Sequence, residues 1–505
     1  MELRGVLQGI PDARIYGDPS AEISSISHDS RTISRGGLFL ALPGARTDGN
    51  RHVKDALGRG AAAVLSELAP PPPPMSLVPE GALRPAAWVR VADAFAAMGR
   101  AADNFFASPA SRLCVVAVTG TTGKTTTVYF LESIFSRCGK TPGALGTISH
   151  RLAHRTIERA CNTTPYSLDL LRLLARMRDG GATHVAMEVS SHALATKRVD
   201  EVDFDAAVLT NLQRDHLDFH KTLEAYFEAK ARLFELLTKA SSSKRGRAVL
   251  NRDDPAFARF ARAAAQAPTF TYGFSPESDF RAGGLVLGRR GTSFRLRRAE
   301  REWLVQLRLL GRHNVYNALA AAAAAWSLDL SPEGILEGLG ALERVPGRLE
   351  SVEAGQPFSV LVDFAHTDAA LASVLEAVGS LPHRRILTVF GCGGDRDAGK
   401  RGPMGVAACA ASDLAVITSD NPRTEDPAAI IADIEQGIRQ SGRENYKIVA
   451  DRREAIYEAV RLAQPEDVVL IAGKGHEDAQ ILRDRSVPFD DRETARSALK
   501  DLGKI

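Results

Sequence analysis

Lys124 and Thr125 stand inside Gly120-Thr121-Thr122-Gly123-Lys124-Thr125-Thr126, directly behind the apolar run Leu113–Val118. A buried strand that empties into a Gly/Thr turn at the mouth of a helix has the layout of a phosphate-binding loop. Backbone N–H groups and the helix N-terminus face the anion, the lysine reaches the β- and γ-phosphates, and the Thr hydroxyl ligates Mg²⁺. The stricter pattern has a glycine where this chain has Val118, so the match is to the shorter form. Further along, Glu188 closes a second apolar run, where a carboxylate can hold the Mg²⁺ that Thr125 ligates. A strand-end Glu on its own is more often structural; beside a phosphate loop it becomes a metal candidate. Asp215-His216 follows a third run, and a histidine beside acids at a strand end is either a packing residue or a neighbour of metal or phosphate. Arg396 and Arg423 lie in Asp395-Arg396-Asp397 and Asp420-Asn421-Pro422-Arg423. Two arginine forks at neighbouring strand ends suit a substrate with several carboxylates, and surface salt bridging is the alternative. Lys230 sits among Tyr226, Phe227, Leu233 and Phe234, and from that spacing it reads as a solvated lysine.

These residues need a scaffold that brings strand ends together. Residues 1–110 read as a separate α/β domain of short strands such as Gly37–Leu42 and Ala61–Leu65, closed by a helix over Ala92–Phe106. The proline run Pro70–Pro74 reads as a stiff exposed loop. From 111 to 345, strands at Leu113–Val118, His184–Val189, Ala206–Thr210 and Arg247–Leu250 alternate with helices, which predicts a mainly parallel sheet of P-loop type. Pro346-Gly347-Arg348 marks a hinge. Residues 346–505 form a second, Rossmann-like α/β domain with strands at Ser359–Phe364, Arg385–Phe390, Leu414–Thr418 and Val468–Ala472. The fold class is therefore α/β in three domains, and in such sheets ligands gather at the carboxyl ends of the strands.

With 505 residues, 44% hydrophobic and 25% charged, the composition is that of a globular protein, and a net charge of +3 offers no global footprint for nucleic acid. The five cysteines are scattered without a Cys-x-x-Cys pair, which argues against a disulfide framework or a zinc site. The N-terminus MELRGVLQGI lacks a signal-peptide core, and the Ala-rich run Ala318–Trp326 is too short to span a bilayer. The expectation is a cytoplasmic protein with no membrane partner, and a monomer.

The chain as a whole resembles the Mur ligase family, within it the ligases that add the third peptide residue. TGTTGKTTT, CNTTP, MEVSSHAL, TNLQRDHLDFH, YFEAKARLF, LLGRHNVYNALAA, VPGRLE, FGCGGDRDAGKR, DNPR and AGKGHE occur in family order over nearly the full length. The resemblance implies an ATP-dependent ligase that joins meso-diaminopimelate to UDP-N-acetylmuramoyl-L-alanyl-D-glutamate through an acyl phosphate. It implies that Gly120–Thr126 hold the ATP phosphates. Thr125 and Glu188 would ligate one Mg²⁺, and His216 with Lys230 a second. The family's lysine is carbamylated, which replaces the solvated reading of Lys230 with that of a carboxylate-like ligand. Asn314, Arg348 and Asp363 match positions at the base, phosphate and ribose. Ser30, Thr163, Thr164, Ser190, Thr196 and Arg198 match the UDP-substrate site. Arg396, Asp420, Asn421, Pro422, Arg423, Gly473 and Glu477 match the amino-acid site. Arg423 in DNPR accompanies meso-diaminopimelate rather than lysine, because it can pair with the carboxylate that lysine lacks. Thr196 stands where the family usually has Gln, and Phe364 where it usually has Tyr. A lysine-adding ligase, a folylpolyglutamate-synthase-like ligase and a non-catalytic nucleotide-dependent binding module are the rival readings.

Overall fold

The computed structural model describes residues 1–44, 48–70, 87–238 and 244–504, so Pro71–Pro74 of the expected proline loop lie outside the described residues. The chain divides into two compact units, Met1–Tyr272 with Ala323–Ile335, and Gly273–Ala322 with Leu336–Ile505.

The first unit carries two sheets. The N-terminal one is built from β1 (Arg14–Gly17), β2 (Ser25–Ser27), β3 (Gly37–Ala41), β4 (Ala63–Ser66) and β5 (Ala87–Arg90) in the order β1-β5-β4-β3-β2. Only the β1–β5 pair in it is antiparallel. The second sheet uses β6 (Cys114–Thr119), β7 (Pro142–Leu145), β8 (Ser149–Leu152), β9 (Arg155–Arg159), β10 (His184–Glu188), β11 (Ala206–Leu209), β12 (Arg247–Asn251) and β13 (Thr269–Gly273). Its order is β13-β12-β11-β6-β10-β7-β8-β9, parallel from β13 to β7 and antiparallel at β8 and β9. β6 lies centrally and is buried from Val115 to Thr119, as a run of β-branched residues covered on both faces requires. Its parallel neighbours β10 and β11 deliver Glu188 and the Asn211 loop beside the phosphate loop. One continuous apolar core runs from Leu38, Leu40 and Leu65 of the first sheet, through Leu170 of the helix Ser167–Asp179, to Val115 and Val185 of the second.

In the second unit the alternation of strand and helix expected up to residue 345 gives way to an antiparallel meander of β14 (Phe280–Gly288), β15 (Gly291–Arg298) and β16 (Arg301–Leu307). Period-two burial along β15 and a turn at Ala299, with φ +49°, make this the correct reading of 280–307. The following sheet comprises β17 (Glu350–Ser351), β18 (Ser359–Asp363), β19 (Ile386–Phe390), β20 (Leu414–Ile417), β21 (Tyr446–Ile448) and β22 (Val468–Ala472), in the order β17-β18-β22-β19-β20-β21. Successive residues feed opposite faces. Leu361, Phe390 and Leu470 pack under the helices Asp368–Gly379, Arg401–Ala411 and Pro427–Gln440. Val360, Val389 and Val469 pack under Arg452–Leu462 and Asp491–Asp501. Both faces being covered, the strands read as continuous apolar runs and their polar loops are confined to the ends.

Candidate active site

The phosphate loop is locked to the end of β11. Thr121 N donates to Asn211 O at 2.9 Å, Thr122 N to Asn211 Oδ1 at 3.0 Å, and Thr210 Oγ1 to Thr122 O at 2.6 Å. Gly120 has φ +145°, and a Cβ there would fall 1.8 Å from Thr210 Oγ1, so only glycine allows this closure. Gly123, with φ +83°, opens the helix Lys124–Arg137, on which Thr125 and Thr126 are buried. Lys124 Nζ donates to Gly120 O at 2.8 Å and to Thr121 O at 2.9 Å.

Glu188 is buried at the end of β10 and accepts from Thr125 Oγ1 at 3.0 Å, Thr147 Oγ1 at 3.1 Å and Thr147 N at 2.9 Å. A Cβ on Gly146 would sit 2.2 Å from Glu188 Oε1, so the carboxylate occupies a cradle that a side chain would fill. A buried hydroxyl and carboxylate side by side are hard oxygen donors and fit Mg²⁺, which takes one or two protein oxygens beside substrate phosphates. Thr147, unmarked in the sequence reading, is the residue that orients this carboxylate.

Lys230 is only 1% exposed, which corrects the solvated reading drawn from its spacing. Its helix, Leu223–Glu235, turns this position inward together with Tyr226, Leu233 and Phe234. Lys230 Nζ donates to the same Gly120 oxygen at 2.9 Å and lies 4.7 Å from the Tyr226 ring. Burial pushes its pKa well below the ordinary 10.5; the nearby Lys124 adds to the shift and Asp215 opposes it. His216, at φ +54°, holds its ring 6.1 Å from Tyr226 and 4.9 Å from His192, with Nε2 3.5 Å from Asp215 Oδ2. Tyr226, whose hydroxyl is 3.1 Å from Thr121 Oγ1, thus stands between His216, Lys230 and the loop. Among the described residues no three His, Cys, Asp or Glu side chains gather as a metal-holding group. His216 and Lys230 fit a second metal only when the lysine carries an oxygen donor.

Most UDP-substrate candidates are brought together. Thr163 Oγ1 is 3.1 Å from Thr147 Oγ1, and Thr164 Oγ1 donates to Glu188 O at 2.9 Å and accepts from Ser190 N at 3.0 Å. Ser190 caps the helix Ser191–Ala195. Arg198 donates to Thr164 O at 3.0 Å and to Thr196 Oγ1 at 3.0 Å, and lies 4.1 Å over the Tyr166 ring; burial lowers its pKa. Thr196 in turn donates to His192 O at 2.7 Å. Ser30 is buried in the loop after β2, where His28 is 6.2 Å from Tyr166, ring to ring, and 4.0 Å from Asp169.

Asn314, Arg348 and Asp363 belong to the second unit. Asn314 Nδ2 donates to Leu310 O at 2.8 Å and Asn314 Oδ1 accepts from Asn317 at 3.0 Å. Asp363 accepts from Leu349 N at 2.8 Å and Ala365 N at 2.9 Å; burial raises its pKa, and Arg348 is the main opposing influence. Arg348 lies 5.4 Å over the ring of Phe364, which also meets His366 and His476. Phe364 thus packs as a ring against an arginine and two histidines, where the family usually has a tyrosine.

The loops after β19, β20 and β22 form the amino-acid candidate site. Gly394 N donates to Asn421 O at 2.9 Å, and Arg423 Nη1 donates to Gly394 O at 2.7 Å, with Arg423 at φ +53°. Pro422 is buried between them and Arg396 is exposed. Gly473 N donates to Asp363 O at 3.1 Å, and Asn421 Nδ2 donates to Glu477 Oε2 at 2.8 Å. Asp420 Oδ2 is 3.9 Å from Arg452 Nη1. Around these loops the buried cations Lys474 and Arg452 escaped the sequence reading. Lys474 lies inside AGKGHE, where flanking glycines and an acid were the available signal, whereas Arg452 opens a helix after β21 with nothing to mark it.

A phosphate loop beside a strand-end carboxylate defines a nucleotide-dependent enzyme of the P-loop class. The family models described as Mur ligase family, catalytic domain, Mur ligase middle domain, and Mur ligase, glutamate ligase domain match residues 22–105, 118–325 and 347–475. A UDP-N-acetylmuramoyl-L-alanyl-D-glutamate–2,6-diaminopimelate ligase of Solibacter usitatus is 45% identical over 95% of this chain and 94% of its own. One of the same name from Geobacter metallireducens is 46% identical over 99% of each. A solved structure of a ligase of that name aligns with a TM-score of 0.70 at 32% identity, covering 100% of this chain and 99% of that one. The chain belongs to the Mur ligase family. Among the described residues no helix is long and apolar enough to cross a membrane.

Proposed function

We propose that the chain uses ATP to join meso-2,6-diaminopimelate to UDP-N-acetylmuramoyl-L-alanyl-D-glutamate, a step of peptidoglycan precursor synthesis, acting as a cytoplasmic monomer with domains at 1–110, 111–345 and 346–505. The reading is carried by one observation: a half-buried arginine, Arg423, set beside the Asn421–Glu477 pair in the DNPR turn. An arginine fork and a carboxylate side by side suit the zwitterionic far end of a diamino acid whose other amine reacts. Lysine lacks that far carboxylate and would leave the arginine unpaired.

The D-glutamyl γ-carboxylate attacks the γ-phosphorus of ATP, giving an acyl phosphate and ADP. The incoming amine attacks the acyl carbon, and phosphate leaves. The loop amides of Gly120–Thr126 and the Lys124 ammonium orient the transferring phosphoryl group and stabilise its charge. Thr125 and Glu188 would hold one Mg²⁺, with His216 and Lys230 at a second. Bound there, Mg²⁺ supplies charge neutralisation on the phosphates. Lys230 suits carbamylation because only a neutral amine adds CO₂, forming an N–C bond and releasing a proton. Its burial favours that neutral form. Arg198 and Thr164 would orient the UDP-linked substrate.

The test is phosphate release from ATP and UDP-N-acetylmuramoyl-L-alanyl-D-glutamate with meso-diaminopimelate in one reaction and L-lysine in another. Release with the first alone is expected. Release with lysine alone would replace the selectivity, and silence with both would favour a binding module.

A further inference from the structure

The Lys474 side chain is fully buried, yet it sits one residue beyond Gly473 in the amino-acid loop. Its ammonium donates to Asn421 Oδ1 at 2.8 Å and to Glu477 Oε2 at 3.1 Å. Asn421 Oδ1 also accepts from Ile481 N at 2.9 Å, while Asn421 Nδ2 donates to Glu477 Oε2. Flipping the amide would turn its N–H₂ toward two donors, so the lysine and the Ile481 amide together dictate which way Asn421 faces. Glu477 receives both of its hydrogen bonds on one oxygen, Oε2, and its side chain is 36% exposed. The other oxygen is thereby turned to one defined side.

The charges around the loop support the same assignment. Arg452 is wholly buried and forms a fork on Asp491 at 2.8 and 2.7 Å, with Nη1 3.9 Å from Asp420 Oδ2. Arg452 is thus committed to Asp491, and the ion pair of Glu477 is the one with Lys474.

We infer that Lys474 is a positioning residue of the amino-acid step: it braces Asn421 in one orientation and pins Glu477 by one oxygen, leaving the other turned to receive the ammonium of the incoming diamino acid. This inference rests on the amino-acid role proposed above for Asn421, Arg423 and Glu477.

Phosphate release at saturating ATP and UDP-N-acetylmuramoyl-L-alanyl-D-glutamate, with meso-diaminopimelate varied, tests it. Lys474→Met is expected to raise KM for the amino acid about tenfold or more, the scale of losing a charged hydrogen-bond partner. KM for ATP and for the UDP-linked substrate should stay within about twofold, since their groups lie elsewhere. Lys474→Arg, which keeps the charge, should recover most of the loss; Lys474→Gln, which keeps only a donor, should not. In combination with Glu477→Gln, Lys474→Met should add little, because both remove one interaction. An unchanged amino-acid KM in Lys474→Met, or losses that multiply in the double variant, would overturn the inference. If Lys474→Met shows no folding transition, equal KM values for Lys474→Arg and Lys474→Gln would overturn it instead. A wild-type chain inactive with meso-diaminopimelate would remove the functional proposal and this inference together, whereas an active wild type beside an unaffected Lys474→Met removes this inference alone.

Discussion

Two sites, one in each unit, hold their cations in opposite ways, although the first unit also buries an Arg151–Glu132 pair elsewhere. In the first, Lys230 donates to a carbonyl oxygen and Arg198 is held by a carbonyl, a hydroxyl and the face of Tyr166. Burial lowers the pKa of both. In the second, Arg452 forks onto Asp491 and Lys474 onto Glu477. Burial alone would depress Arg452, but Asp491, with Asp420 and Glu477 beyond it, more than offsets burial and the pKa rises. Cations held by neutral oxygens remain open to change, as neutral amine or as partner to an incoming anion. Cations bound to acids are committed, and they fix loops in place. The first arrangement suits a region that handles phosphates, and the second a region that must present one geometry to a small zwitterion.

The largest effects should separate these two kinds of burial by sign. Arg452→Met strands Asp491 in the interior and should destabilise the protein by about 3–5 kcal/mol, read as a lower denaturation midpoint. A midpoint equal to wild type would break the contrast. Lys230→Met removes a buried amine held by a carbonyl and the Tyr226 ring rather than by an acid, so its melting temperature should rise. Activity should nevertheless fall about a hundredfold, the scale of losing a group that holds a metal. The pH dependence has a defined direction. Folded Lys230 titrates well below the ordinary 10.5, so the unfolded chain binds the extra proton between the two values. Stability of wild type relative to Lys230→Met therefore increases as pH rises through that interval, and is lowest below it. A difference that stays flat with pH would mean that Lys230 keeps its proton on folding.

Arg423 tests whether the committed geometry of the second unit is also selective. Its Nη1 is anchored to Gly394 O, which leaves the rest of the guanidinium to face a carboxylate. Arg423→Gln should lower the preference for meso-diaminopimelate over L-lysine by about tenfold to a hundredfold, the range for a hydrogen bond to a charged group. Equal losses with both amino acids would make Arg423 a loop anchor and nothing more.

How much of this was legible follows the same division. The phosphate loop is contiguous, and its apolar strand, glycines and Lys-Thr pair carry their chemistry in local order, so Gly120–Thr126 and Glu188 could be picked out directly. The parallel strands were legible because both faces are covered and each becomes an apolar run. The meander at 280–307 was not, because its alternation is mixed with charged residues on the open face. Lys230 was misplaced by spacing alone: a lysine among aromatics at helical spacing looks solvated until its helix is rotated onto the sheet. Lys474 and Arg452 escaped for a related reason. The amide that Lys474 bonds and the acid that Arg452 bonds are 53 and 39 residues away in sequence, so the glycines and Glu477 beside Lys474 mark a polar loop without reporting its burial, and nothing local marks Arg452.

The smallest test concerns Thr196, where this chain departs from the family's usual Gln. Thr196 Oγ1 accepts from Arg198 Nε and donates to His192 O, so a short side chain both holds the arginine and ties it to its own helix. In Thr196→Gln the carboxamide oxygen can still accept from Arg198, but the bond back to His192 is lost. One net hydrogen bond is worth about 1 kcal/mol, so KM for the UDP-linked substrate should rise by about fivefold with kcat nearly unchanged. Because Arg198 has neutral partners, it should tolerate the exchange far better than Arg452 tolerates loss of its acid. A KM change as large as that of Arg198→Met would show instead that the threonine is the sole restraint on Arg198. In that case the Arg198 site, too, would depend on a single committed partner.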